Sequence, residues 1–131
     1  MNENNRLTTA ALNIALGDKE GICSMEVVSD TNIGMSQVRE GEGDVQIMRI
    51  DDIDIFEGYD VVKIDVEHYN EQLLKGAKET FTKGTGNIYI EAESEEERDT
   101  VDMIMAVYGY RRVPGLTLNH TPTYKYEKVQ S

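Results

Sequence analysis

The chain carries one cysteine, Cys23, among 131 residues, so it forms no internal disulfide. That excludes a disulfide-stapled secreted scaffold and points to a reducing setting, the cytoplasm. No apolar run approaches the roughly 18 residues that a membrane span needs. The opening MNENNRLTT lacks the charged-then-apolar pattern of an export signal. Cations are scarce: 13 Lys and Arg stand against 25 Asp and Glu, for a net charge of −12. Such a surface argues against binding a phosphate backbone, so no nucleic acid partner is expected. Beyond that, acidity bears on solubility and not on fold. Repeats and low-complexity tracts are absent. So is a glycine-rich turn between a strand and a helix: Gly41 and Gly43 sit in a charged loop, and Gly84 and Gly86 follow a helix.

What is present suffices for a core. Hydrophobic content is 39%, low for a globular chain, but the length supports one domain. We expect a flexible N-terminus over residues 1–9 and a single α/β domain over 10–129. Its centre is the stretch VVKIDVEHYNEQLLKG, Val61 to Gly76. Val61, Val62, Ile64 and Val66 form a β-branched run that suits a parallel strand covered on both faces. Asp65 and Glu67 come at its far end, followed by His68 and Tyr69. Leu73, Leu74, Ala77 and Phe81 then recur at helical spacing, predicting one helix from about Asn70 to Thr82 with a glycine stop at Gly84. Acids at the carboxyl end of a parallel strand lie where open α/β sheets bind ligands. The same acids would also suit the positive end of the following helix as caps.

Elsewhere, Ala10–Leu16 and Ile22–Val28 read as two strands of a hairpin around the turn Gly17–Gly21. Residues 29–44 are rich in Gly, Ser, Asn and charge and read as a long exposed loop, a connector or a functional loop. VQIMRI, from Val45, reads as a strand running into a short helical turn at Asp51–Asp54. Asn87–Ala92 is a further strand with Ile88 and Ile90 inward, ending at Glu91 and Glu93. Ser94 and Glu97 form a capping box. The helix it opens shows Val101, Ile104, Met105 and Tyr108 on one face and stops at Gly109. Tyr110–Val113 and Thr123–Val129 read as closing strands, with Pro114–Gly115 as a turn between them. The order is α/β.

Lys63 to Ala77, K-I-D-V-E-x-Y-x-x-x-L-L-K-G-A, resembles the central motif of the FkbM family of S-adenosylmethionine-dependent methyltransferases. Ala15–Asp18 resembles the family's A-L-G-D turn, Ile50–Ile53 its L-D-D-L segment, Asn87–Glu91 the next strand, and Asn119–Tyr124 a T-P-T-Y ending. The resemblance spans residues 10–127 and matches the family's C-terminal half. It departs at Glu67-His68-Tyr69-Asn70, where the family commonly has E-G-Y-E or E-G-A-E.

The resemblance implies a partial Rossmann-like class I methyltransferase sheet, with helices packed on it and a C-terminal antiparallel strand pair. It implies S-adenosyl-L-methionine as cofactor and O-methylation of a small-molecule or glycan acceptor. Asp65, Glu67 and His68 would be catalytic, with Asp65 also toward the cofactor. Glu91, Glu93 and Asn119 would bind the acceptor. His68 is the candidate base, although a lone turn histidine is commonly a solvated bystander. His120 reads as a loop residue. Because the donor half is not matched, the central strand is left with an open edge, which invites pairing. The N-terminal hairpin, a second copy or a partner chain is expected to cover it. Two alternatives stand beside this reading. One is an inactive relative acting as an interaction module. The other is an acidic enzyme in which Asp65, Glu67, Glu91 and Glu93 hold Mg²⁺ or Ca²⁺ through oxygen.

Overall fold

A computed structural model describes residues 9–27, 36–53, 59–118 and 121–129. Strands β1 (Ile14–Leu16), β2 (Gly21–Val27), β3 (Ser36–Glu40) and β4 (Val45–Met48) are followed by a 3₁₀ turn, Ile50–Asp52. Then come β5 (Val61–Ile64), α1 (Asn70–Lys75), α2 (Lys78–Lys83), β6 (Asn87–Glu91), α3 (Glu95–Val107), β7 (Tyr110–Leu118) and β8 (Thr123–Lys128). The fold is α/β with two four-stranded mixed sheets, in the orders β1-β4-β2-β3 and β5-β6-β8-β7. Among the described residues no helix is long and apolar enough to cross a membrane.

The second sheet follows the expected order of a parallel pair and then an antiparallel closing pair. β5 pairs with β6 in parallel, Val61 opposite Asn87 and Ile64 opposite Ile90. β8 runs antiparallel to both β6 and β7. Period-two alternation sends Val62, Ile64, Ile88, Ile90, Tyr124 and Tyr126 into one apolar cluster with Leu73, Leu74, Phe81, Val101 and Met105 of the helices. β5 is therefore covered on one face and not two: Val61 is 59% exposed and Lys63 is exposed as well. It is also the edge strand of this sheet and not an interior one.

The N-terminal segment differs from the expected hairpin. β1 and β2 do not pair; β4 lies between them, parallel to β1 and antiparallel to β2. The expected loop over 29–44 contains β3, antiparallel to β2, while residues 28–35 lie outside the described set. This smaller sheet has its own core of Ala15, Cys23 and Ile47, flanked by Val38 and Val45. Among the described residues it does not pair with the edge of β5.

The predicted helix over residues 70–82 is two six-residue helices, broken at Gly76–Ala77. The cause is tertiary. Gly76 O accepts from Asp51 N at 2.9 Å, and a Cβ at Gly76 would lie 1.9 Å from Gly17 O. The chain after β1 thus crosses directly over the break. The residue before α2, Ala77, has no capping side chain, and Asp51 supplies the cap from a distance. Its Oδ2 accepts from Glu79 N at 3.0 Å and its Oδ1 from Thr80 N at 2.9 Å. Asp51→Ala is expected to cost about 1–2 kcal/mol, the range for a lost helix cap. It is read as a lower urea midpoint at unchanged slope; an unchanged midpoint would mean that water serves those amides as well.

The closing strands also differ in detail. Pro114 and Gly115 make no turn between strands; they lie inside β7, at the register shift between Arg112 and Thr117. Among the described residues β7 pairs only with β8, as an edge strand, so a residue without an N–H is tolerated there. The expected capping box at α3 holds: Ser94 Oγ accepts from Glu97 N at 3.1 Å. The Glu97 carboxylate reaches back one residue further than the simple box, accepting from Glu93 N at 2.9 Å.

Candidate functional site

β5 and β6 run parallel, so the turns after them leave the sheet side by side. The turn after β5 carries Asp65, Val66, Glu67 and His68; the end of β6 and the turn beyond it carry Glu91 and Glu93. All of these, with Glu97 from the first turn of α3, line one shallow depression. The four acids singled out from the sequence therefore meet, and they do so as two pairs.

Each pair has a physical signature. Glu67 is pushed up to about 7. The main cause is hydrogen bonding to the Glu93 carboxyl, which requires a proton between two acceptors; burial and the charges of Glu93, Glu91 and Asp65 add to it. Glu67 Oε2 is buried and meets no donor, so the ionised form is uncompensated there. Glu91 is likewise pushed up to about 7, chiefly by its hydrogen bond with Asp65 and then by burial, with Lys63 and Thr121 pulling the other way. The cluster thus holds protons near neutral pH that isolated carboxylates would have lost.

His68 Nε2 lies 3.0 Å from Glu93 Oε2, with the imidazole 52% exposed. Its φ of 54° is in the left-handed region, uncommon for a residue with a Cβ. The next residue, Tyr69, is buried and donates its hydroxyl to Glu40 Oε1 of β3, tying this turn to the smaller sheet. Burial and then the Glu40 carboxylate push the Tyr69 phenol well above its ordinary range. As for capping, the residue before α1, Tyr69, makes no side-chain capping bond, and α3 is capped by Ser94.

The family model for the methyltransferase FkbM domain matches residues 2–112. The chain belongs to the FkbM methyltransferase domain family. Comparison with curated proteins and with solved structures finds no match. All four paired acids, Asp65, Glu67, Glu91 and Glu93, lie within the matched residues. His68 holds this left-handed turn at a cost of about 1–2 kcal/mol and sets its imidazole beside Glu93.

FkbM methyltransferases use S-adenosylmethionine, and the described residues do not make a complete cradle for it. Neither strand-to-helix turn, Asp65–Tyr69 or Ala92–Ser94, contains glycine. Gly17, Gly43, Gly76 and Gly86 each lie within 3 Å of the chain's own atoms at the place where a Cβ would stand, so none leaves room for a ligand. The cleft between α1 and α3, about 320 Å³, is lined mostly by polar and acidic side chains such as Glu71, Glu96 and Glu97. It lacks the apolar walls usual for a cofactor. For a metal, one atom each from Glu67, His68 and Glu93 lie within 4.8 Å of one another.

Of the residues singled out from sequence, Asp65, Glu67, His68, Glu91 and Glu93 come together; Asn119 and His120 lie outside the described residues. Sequence reasoning missed Asn70, Lys63 and Thr121, and saw Glu97 only as a cap. Lys63 could have been found from period two, which places it on the face of Asp65.

Proposed function

We propose that this FkbM domain is an S-adenosylmethionine-dependent O-methyltransferase whose described residues form the acceptor side of the site. The observation that carries the reading is the pairing of Glu67 with Glu93 and of Asp65 with Glu91 beside His68, at the carboxyl ends of two parallel strands. A hydroxyl needs both a donor and an acceptor to be held, and a half-protonated pair supplies one of each when the hydroxyl enters between its two carboxyls. Methylation of that oxygen requires its proton to leave. With Glu93 accepting from Nε2–H of a neutral imidazole, Nδ1 is the basic nitrogen, so His68 is assigned as base and Glu93 as the group that orients it. Asp65, Glu67 and Glu91 bind the acceptor, a small molecule or glycan. The donor cradle is completed from outside the described residues, by a second copy or a partner chain against the open edge of β5, where Val61 is exposed.

Calorimetric titration of S-adenosylmethionine tests this, run on the chain alone and on its complex with a partner isolated by light scattering. Heat in the complex only is expected. Absence of heat in every assembly sinks the methyltransferase reading and favours an interaction module. The Glu67, His68 and Glu93 grouping supports a second reading, a metal-dependent enzyme. A melting temperature raised by Mg²⁺ or Ca²⁺ but not by donor would select it.

A further inference from the structure

Asn70 opens α1 and is 2% exposed, one of two buried polar side chains among the described residues. Both hydrogens of its amide nitrogen are used. Nδ2 donates to the main-chain oxygen of Glu91 at 2.8 Å and to Glu97 Oε1 at 2.8 Å. The other oxygen of Glu97 accepts from Glu93 N. One nitrogen therefore reaches both acids at the end of β6: Glu91 directly, and Glu93 through Glu97. Asn70 itself follows Glu67 and His68 within one turn of chain. It is the tie between the acids after β5 and those after β6.

We infer that Asn70 is a positioning residue, whose side-chain amide, acting through Glu97, sets the distance at which Glu67 and His68 meet Glu93. Its importance for catalysis rests on the reading of these acids as the acceptor site; the geometric claim does not. The amide orientation is fixed by its partners, since a flipped side chain would set Oδ1 against two acceptors. In this chain an ionised aspartate at position 70 would lose both bonds, having only lone pairs to offer Glu97 and the Glu91 carbonyl. Oδ1 is left buried without a donor. An orphaned acceptor of that kind costs about 1–3 kcal/mol, so packing alone does not explain an asparagine here. The two N–H groups do.

The test uses the whole chain without donor or acceptor, so its failure leaves the proposed reaction standing. Asn70→Asp keeps the shape and removes the donors. The expected result is a folded protein in which the ¹⁵N resonance of His68 Nε2 moves to the position of an unbonded imidazole. The Glu93 amide should also exchange about tenfold faster or more, with the β7–β8 amides unchanged. An unchanged His68 resonance in folded Asn70→Asp overturns the inference. If that variant does not fold, Glu97→Gln decides. It leaves Asn70 and the Ser94 cap in place but offers one acceptor oxygen where two are used. The same His68 shift is expected there, and its absence overturns the inference equally.

Discussion

Replacing Lys128 by methionine is expected to lower the stability of this chain by about 3 kcal/mol, as the loss of charge-assisted hydrogen bonds and of a cation at helix ends predicts. The ammonium of Lys128 donates to Tyr108 O at 2.6 Å, Thr82 O at 2.9 Å and Phe81 O at 3.2 Å. Those carbonyls belong to the ends of two helices. Phe81 and Thr82 close α2, and Tyr108 is the residue that ends α3. Terminal carbonyls have no partner within their own helix and carry the negative end of its dipole. α3 has no basic residue in its last turn, so the cation comes from β8. The ammonium also lies 4.8 Å from the centre of the Tyr110 ring.

The glycines that stop these helices make room for it. Gly84 and Gly109 have φ of 106° and 88°, and a Cβ on Gly109 would lie 3.0 Å from the ammonium nitrogen. Methionine keeps the length of the stem and removes every donor, so the loss reports the ammonium and not the packing. Lys128→Arg is expected to fall between, because a planar fork cannot point at three converging carbonyls. Urea unfolding measures both. A loss below about 1 kcal/mol for the methionine variant would mean that water takes over the carbonyls at little cost.

Where the sequence reading succeeded, a residue's periodicity and its burial had the same cause. Ile88 and Ile90, or Val101 and Met105, are apolar at the period of their element and point into the core. It failed where a distant segment decides. Gly76 is the one local hint in Asn70–Thr82, and an isolated glycine is tolerated inside a helix; the break is decided by Gly17 and Asp51 crossing there. Val61 is as apolar as Val62 but stands on the uncovered face of an edge strand. β3, SQVRE, offers only Val38 to a core and so reads as loop. The acids of the site were legible from their place at strand ends. Their pairing was not, since it depends on which two strands lie side by side. Asn70 looked like an ordinary first residue of a helix until its partners on β6 and α3 were seen.

Stability is expected to fall as pH rises from 5 to 8, against the usual trend for a protein rich in acids. Glu67 and Glu91 both titrate at about 7 in the folded chain, from an ordinary value of 4.5. Between those values the folded state holds protons that the unfolded state has released. Each group therefore contributes stability that is complete below about pH 4.5 and lost as pH passes 7. A shift of this size converts to about 3 kcal/mol per group if taken in full. Both side chains are partly exposed, and solvent screening reduces the pair to about 2 kcal/mol in total. Urea midpoints at pH 5 and pH 8 measure the slope. Glu67→Gln with Glu91→Gln mimics the protonated forms and is expected to flatten it. A wild-type profile that is level or rises over this window, or a double variant with the wild-type slope, would exclude proton sharing in the cluster. The sign matters for chemistry as well. Carboxyls that keep their protons near pH 7 can donate to an acceptor's oxygen while Asp65 and Glu93 accept from it, and an equal number of fully ionised acids could only accept.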